Sequence, residues 1–217
     1  MDSTEQRPTL DPHPLSDWVA WSGRRNRDAV LNVLREKLPK TPGHILELAS
    51  GSGMHIHYFA PYLEHLTLHP SDKDDETFAS IRKLTAETGL TNVQPPIKLD
   101  LTQPSTWPSG ESKYAGIFCI NLIHVAPVSV VAGLAECASR LLTSDGVLMI
   151  YGAFKTEGQY STPSSAELDQ AFQAINSSEW GFKDTADVTA ACAERGLALQ
   201  ETIDMPDGRL MLRYARG

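Results

Sequence analysis

The stretch Ile45-Leu46-Glu47-Leu48-Ala49-Ser50-Gly51-Ser52-Gly53 decides the fold. Its apolar first half is typical of a buried strand. The two glycines permit positive φ and a close approach of the backbone to a ligand. Ligands of open α/β sheets bind beyond the carboxyl ends of the strands. The stretch therefore predicts a strand that leads into a ligand-binding turn.

Helical and strand patterns alternate on both sides of this stretch. The first helical spacing begins at Arg24, after a loose arm, and stops before Pro39. We predict further helices at 54–63, 76–88, 128–142, 164–175 and 184–195, and strands at 44–49, 65–69, 93–101, 115–123, 147–151, 197–205 and 210–215. Right-handed crossovers then place helices on both faces of a mostly parallel, seven-stranded sheet with a C-terminal antiparallel hairpin. Strand 115–123 is the most apolar and is expected at the sheet centre.

Length and composition fit one globular domain over residues 24–217, preceded by an N-terminal arm or lid over 1–23. The net charge of −8 and the lack of a basic run longer than Arg24-Arg25 argue against nucleic acid. No apolar run is long enough to cross a membrane, and no secretory signal is visible. The scattered Cys119, Cys137 and Cys192 predict buried thiols in a reducing, cytoplasmic setting, with no metal site.

Two acidic residues follow later strands. Asp72, 25 residues after Glu47, would accept hydrogen bonds from both ribose hydroxyls, and Asp100 would receive an adenine amino group. The alternative is that each is only a turn or cap residue. Together with the glycine turn, the two carboxylates predict a nucleoside site.

A nicotinamide dinucleotide is the main rival ligand. Its motif needs a third glycine, and that position is Ile56 here. Glu47 would repel a pyrophosphate, whereas it favours a positive sulfonium and amino group. The residues therefore favour S-adenosylmethionine, and the terminal hairpin favours the methyltransferase variant of the Rossmann-like fold.

Longer motifs carry a family resemblance. They are Arg25-Asn26, ELASGSGMHIHYFAP (47–61), LHPSDKD (68–74), NVQPPIKLDLTQP (92–104), IFCINLIHVAP (117–127), GVLMIYGAFK (146–155) and EWGFKDTADV (179–188). Through them the chain resembles the DUF938, or methyltransferase-like 26, family of class I methyltransferase-like proteins. The resemblance implies this fold and cofactor, and His55 matches a family histidine.

The predicted cofactor site has eleven members: Arg25, Asn26, Glu47, Ala49, Gly51, Gly53, His55, Asp72, Asp100, Leu101 and Asn121. Arg25 and Asn26 would close over the methionine carboxylate, or else cap the first helix. The chain departs from the family pattern at Gly152–Lys155, Tyr160–Ser165 and Met205–Arg209, where we expect substrate. These departures imply a divergent, specialised substrate.

Two residues are predicted to act on the substrate. His124 follows the central strand and is the candidate base, with an ordinary pKa near 6.5; alternatively it closes the strand by a hydrogen bond to backbone. Tyr151 ends the fifth strand and is as likely to serve packing as chemistry. Lys155 is expected to be a solvated loop lysine, or else to bind an acidic group of the substrate, and His57 is expected to be a surface residue. Trp18 and Trp21 either line an apolar substrate site or pack the arm.

Three functions remain open. The first is methyl transfer to a small molecule, in which the protein supplies alignment, desolvation and a base. The second is a non-methylating cyclisation or isomerisation in the same fold, because a fold does not fix a reaction. The third is a non-enzymatic protein that binds S-adenosylmethionine.

Overall fold

The computed structural model describes residues 6–109, 113–176 and 179–217. Its helices are α1 (Asp17–Lys37), α2 (Met54–Phe59), α3 (Phe78–Thr88), α4 (Val128–Leu141), α5 (Pro163–Ile175) and α6 (Thr185–Ala193). Its strands are β1 (Gly43–Leu48), β2 (Leu66–Asp72), β3 (Ile97–Lys98), β4 (Tyr114–Ile120), β5 (Leu142–Gly152), β6 (Phe154–Thr156), β7 (Gln159–Tyr160), β8 (Lys183–Asp184), β9 (Leu197–Met205) and β10 (Arg209–Arg216).

Seven strands form one sheet in the order β3-β2-β1-β4-β5-β10-β9. Strands β1 to β5 are parallel, and β10 pairs antiparallel with both β5 and β9. Strand β4 lies at the centre, as its apolar sequence predicted. The α/β, mostly parallel, Rossmann-like fold with a C-terminal antiparallel hairpin is thereby confirmed.

Alternate residues of the strands face two separate hydrophobic cores. Ile45, Phe118 and Met149 pack against α1 and α2 on one face. Leu46 and Ile117 face α4 and α6 on the other. This alternation follows from the period of two in a strand, and it produces a sandwich of helix, sheet and helix.

Helix α1 begins earlier than the predicted Arg24. Ser16 is its N-cap, and its side chain accepts a hydrogen bond from the Val19 amide. Residues 17–23, which we assigned to the arm, are therefore helical. Trp18, in the first turn, is buried against Ala153, Phe172 and other residues of a third, smaller core.

Two strands differ most from their predicted lengths. Strand β3 has only two residues, not the predicted nine, because the prolines at 95 and 96 cannot donate backbone hydrogen bonds to a neighbour. Before them, Val93 forms an isolated bridge to Leu68. Strand β5 begins five residues before the predicted Val147. The short sheet β7-β6-β8 was not predicted.

Candidate functional site

A cavity of about 660 Å³ opens beyond the carboxyl ends of β1, β2 and β4. We call it the main cavity. Its wall contains eight of the predicted site residues: Ala49, Gly51, His55, Asp72, Asp100, Leu101, Asn121 and His124. The parallel strands bring these residues together because each strand ends at the same edge of the sheet.

The backbone is strained where two strands enter the main cavity. Ala49 follows β1 with φ of 55°, and Asn121 follows β4 with φ of 59°. A left-handed conformation costs Ala49 about 1–2 kcal/mol, whereas Asn121 is of a type that adopts it more readily. Gly51, with φ of 53°, adopts the same region without that cost. Such strain is concentrated at functional sites, and here it turns the chain so that backbone lines the cavity.

Asp72 ties two loops together at the end of β2. Its Oδ2 accepts a hydrogen bond from the Gly51 amide at 2.9 Å, and its Oδ1 accepts one from the Asp74 amide at 3.1 Å. Burial raises its pKa, and these backbone donors partly oppose the rise. The carboxylate thus orders the glycine turn and at the same time lines the main cavity.

Asp100 is held by a turn of its own. Oδ1 accepts hydrogen bonds from the Thr102 amide and hydroxyl, and Oδ2 accepts one from the Gln103 amide group. Burial alone would raise the pKa of Asp100, but these hydrogen bonds lower it. Asp100 therefore keeps a negative charge in the cavity wall.

Glu47 lies behind the wall of the main cavity and is 2% exposed. Burial raises the pKa of Glu47 to about 8, and the negative charge of Asp72 adds to this rise. A hydrogen bond with Ser50 partly opposes it. Its Oε2 has no hydrogen-bond partner among the described residues. Glu47 is therefore a largely protonated acid at neutral pH, next to a site that we expected to hold a cation.

Tyr151, Asn26 and His55 form a polar chain in which Tyr151 and Asn26 are buried and His55 is half-buried. The Tyr151 hydroxyl bonds to Asn26, and Asn26 Oδ1 lies 2.8 Å from His55 Nε2. Burial raises the pKa of Tyr151 to about 12 and lowers that of His55 to about 4, so both side chains are neutral at pH 7. Of the three, His55 alone lines the main cavity.

Two more predicted cofactor residues also lie outside the cavity wall. Arg25 is exposed, its Nη2 is 3.4 Å from Asp207 Oδ2, and its guanidinium lies 5.2 Å from the Trp21 ring. Gly53 caps α2 in the left-handed region, where an added Cβ would lie 2.8 Å from Ile81. Gly53 thus serves the turn and its packing.

His124 lies in the cavity wall, 4% exposed. Its ring is 5.0 Å from that of Phe172 and 5.9 Å from that of Phe182. Burial, with smaller effects of Arg209 and Lys183, lowers its pKa to about 3. Nδ1 has no hydrogen-bond partner among the described residues. His124 is therefore a neutral imidazole at any physiological pH, not one with a pKa near 6.5.

Sequence reasoning missed part of the cavity wall. Residues Pro12 to Pro14 and the first turns of α1 close one side, and Asn176, Glu179 and Trp180 close another. Trp18 lines the cavity, and its Nε1 is a buried donor without a partner among the described residues. The tryptophans were the available signal, but no spacing rule connects residues so distant in sequence.

The three segments that depart from the family pattern do not line the main cavity. Phe154, Tyr160, Ser161, Met205 and Arg209 instead line a second cavity of about 380 Å³. Lys155 is not solvated as we expected, since its Nζ is 3.0 Å from Oδ2 of the fully buried Asp169. His57 is also not a surface residue, because it is buried and bonded to Gly53 and Thr85.

The charges of the main cavity suit a cation. Its wall carries Asp72, Asp74, Asp100 and Glu179 but a single lysine, Lys73. S-adenosylmethionine carries a sulfonium, an ammonium and one carboxylate, and its net positive charge matches this wall. The protonated Glu47 behind the wall adds a group that can ionise beside a cation. The described residues thus fit this cofactor.

Two other properties bear on the class of site. In the described ranges, no group of three or more His, Cys, Asp and Glu side chains is arranged to hold a metal ion. None of the helices in the described part of the chain combines the length and hydropathy of a membrane span.

The fold is similar to that of solved O-methyltransferases. An O-methyltransferase family protein from Burkholderia thailandensis gives a TM-score of 0.77 at 16% identity, over 93% of this chain and 58% of that one. An O-methyltransferase family 2 protein from Planctomyces limnophilus, in complex with apigenin, gives a TM-score of 0.74 at 16% identity, over 94% of this chain and 62% of that one. An O-methyltransferase from neocarzinostatin biosynthesis was solved in complex with S-adenosylmethionine and 2-hydroxy-5-methyl naphthoic acid. It gives a TM-score of 0.70 at 15% identity, over 92% of this chain and 55% of that one.

The chain therefore spans between 55% and 62% of the length of these three neighbours. At identities this low the likeness concerns the fold. A family model described as "Protein of unknown function (DUF938)" matches residues 18–216, from the first turn of α1 to the end of β10. That match agrees with the motifs quoted from the sequence, and the chain belongs to the DUF938 family.

Proposed function

We propose that the protein is an S-adenosylmethionine-dependent methyltransferase that acts on a small molecule. One observation carries the proposal: the ends of β1, β2 and β4 and the loop after β3 bring Ala49, Asp72, Asn121 and Asp100 into one acidic cavity. The solved neighbours of the same fold include methyltransferases of small molecules, one of them with S-adenosylmethionine bound.

The residues at the strand ends would hold the cofactor. Asp72 would accept the ribose hydroxyls, Asp100 would lie toward the adenine, and the turn of Ala49 to Gly51 would contact the methionine part. When bound, S-adenosylmethionine supplies an electrophilic methyl group. The chain's own task is then to align the acceptor and to exclude water.

The acceptor would lie against the apolar part of the main cavity, near Trp18, Val125 and Trp180. His124 is the candidate catalytic residue there, and with a pKa of about 3 it orients an acceptor by a hydrogen bond more readily than it removes a proton. Tyr151 would act only indirectly, through Asn26 and His55. Acceptors that lose their proton without a base would suit such a site.

Calorimetry with purified protein tests the cofactor. We expect S-adenosylmethionine and S-adenosylhomocysteine to bind and NADH not to bind. Asp72→Asn keeps an acceptor for the Gly51 amide but removes the charge, and it should weaken binding about tenfold or more, since charge-assisted hydrogen bonds contribute about 1.5–3 kcal/mol.

The matched control is Asp145→Asn, which removes one charge from an exposed position in the first half of β5. It should leave the dissociation constant unchanged. NADH binding without an S-adenosylmethionine signal would refute the proposal. Equal affinities of the two variants would show that Asp72 serves only the turn.

A non-methylating cyclisation or isomerisation is the second candidate. The apolar wall near Trp18, Val125 and Trp180 favours it, because such a cavity can hold a substrate in a reactive conformation. Incubation with candidate acceptors and S-adenosylmethionine separates the two. Methyl transfer yields S-adenosylhomocysteine in a one-to-one ratio with product, and rearrangement yields product without it.

A further inference from the structure

The second cavity shares no lining residue with the main cavity and lies between the β6–β7 hairpin and the turn from β9 to β10. Arg209, the first residue of β10, lines it and is partly buried. Its guanidinium lies 5.8 Å from the centroid of the Phe182 ring. No hydrogen bond or ion pair joins this guanidinium to the described residues. A guanidinium has five N–H donors, so Arg209 offers a full set to a ligand.

The surroundings leave the charge of Arg209 only partly compensated. Burial and the charge of Arg7 lower the pKa of Arg209, burial having the larger effect. The nearby Tyr151 and Asp207 raise it. Asp207 already forms its own ion pair with Arg25. A partly buried cation without a hydrogen-bonded partner is costly for a protein to maintain, and a bound anion would remove that cost.

Other donors line the same cavity. Thr156 and Gln159 are exposed there, and neither side chain is hydrogen-bonded within the described residues. Tyr160 and Ser161 are already committed, since their hydroxyls donate to Asp169 and to the Gly208 carbonyl. Asp204 also lines the cavity and is exposed. One guanidinium, with Asp204 and Asp207 nearby, suits a monoanion better than a dianion.

We propose that the second cavity is an anion site in which Arg209 binds the carboxylate of a small organic acid. The planar fork of a guanidinium matches a carboxylate through two parallel hydrogen bonds. Thr156 and Gln159 supply further donors at the rim, and Phe182 holds the guanidinium in place. The residues that line this cavity differ from those that line the main cavity, so its test requires no cofactor.

Nuclear magnetic resonance of the whole chain tests the site with benzoate as probe and benzamide as its neutral counterpart. At constant ionic strength, benzoate should produce saturable shifts at the Arg209 side chain and at the amides of Gln159 and Leu210. Benzamide should produce none there. Inorganic phosphate should bind at least about fivefold more weakly than benzoate, because its second charge meets Asp204 and Asp207.

Variants separate a site from a general effect of charge. Arg209→Gln should weaken benzoate binding about tenfold or more, and Arg209→Lys should be intermediate because it keeps the charge without the fork. Arg35 is exposed in the last turn of α1, and the Arg35→Gln variant should bind benzoate like the wild type. Equal shifts with benzamide, tighter binding of phosphate, shifts confined to the main cavity, or unchanged binding in Arg209→Gln would each overturn the proposal. The comparison of benzoate with benzamide in the wild type remains decisive if Arg209→Gln does not fold.

Discussion

The sequence indicated a place for His124 beside the substrate, but it did not show the environment of the imidazole. Its position after the central strand predicted a place beside the substrate, and it does line the main cavity. The stacking against Phe172 and Phe182, which lie about 50 residues later in the chain, could not be predicted. Those rings exclude water and so change the protonation of the imidazole.

We predict that the His124 ring remains neutral from pH 5 to pH 8, because its pKa is lowered to about 3. Nitrogen chemical shifts of the imidazole, assigned by comparison with His124→Gln, measure this directly. A midpoint near 6.5 would contradict the buried environment. Any activity that depends on His124 should accordingly show no inflection near pH 6.5.

Strand ends explain which site residues could be predicted. Asp100 and Asn121 lie just past the last paired residue of a strand and therefore reach the sheet edge, as the sequence indicated. The sequence predicts that Tyr151 ends its strand, but β5 continues to Gly152, and Tyr151 still pairs with Met211 and Ile120. A residue inside a sheet faces a helix layer, so Tyr151 packs instead of facing the main cavity.

Helix α1 begins earlier than the sequence indicated, and of the differences among the elements this one affects the main cavity most. The apolar spacing 30–38 predicted its second half, but its first two turns carry polar residues and tryptophans without a clear stripe. The start is fixed by the Ser16 cap and by Trp18 packing on distant residues. Tertiary contacts of this kind leave no periodic signal in the local sequence.

The Ser16 cap positions the first turn of α1, which carries Trp18 and Val19 into the wall of the main cavity. Ser16→Ala removes the acceptor of the Val19 amide and should cost about 1 kcal/mol in the free energy of unfolding. Urea denaturation measures the cost, and the exposed Ser105→Ala is the control. No difference between the two variants would mean that the first turn is held by packing alone.

At the scale of the whole molecule, buried titratable groups oppose one another. The pKa of Glu47 is raised to about 8 in the folded protein. Its contribution to the free energy of unfolding is therefore full below the pKa of the unfolded state and is lost as pH rises through 8. His55, His69 and His124 have pKa values lowered to about 4, 4 and 3, so their contributions to stability are lost as pH falls below about 6.5. Each group changes stability by about 1.4 kcal/mol per pH unit within its window.

These opposing slopes predict a stability maximum near pH 6.5. Urea denaturation from pH 5 to pH 9 should show it. Glu47→Gln should remove most of the decline between pH 6.5 and 9, about 2 kcal/mol, and move the maximum upward. His55→Gln should make the acid side shallower, because one of the groups that lose stability below pH 6.5 is removed. The exposed Glu64→Gln serves as a control. An alkaline side that Glu47→Gln leaves unchanged, or an acid side that His55→Gln leaves unchanged, would contradict this assignment.

The order of the last strands has a consequence for biosynthesis. Strand β9 lies at the edge of the sheet, and its partner there is β10, which leaves the ribosome after it. Until β10 emerges and inserts beside β5, the nascent chain presents two unpaired strand edges, at β5 and at β9. Unpaired edges invite pairing with other chains, so the interval between synthesis of β9 and insertion of β10 is when a nascent chain most needs a chaperone.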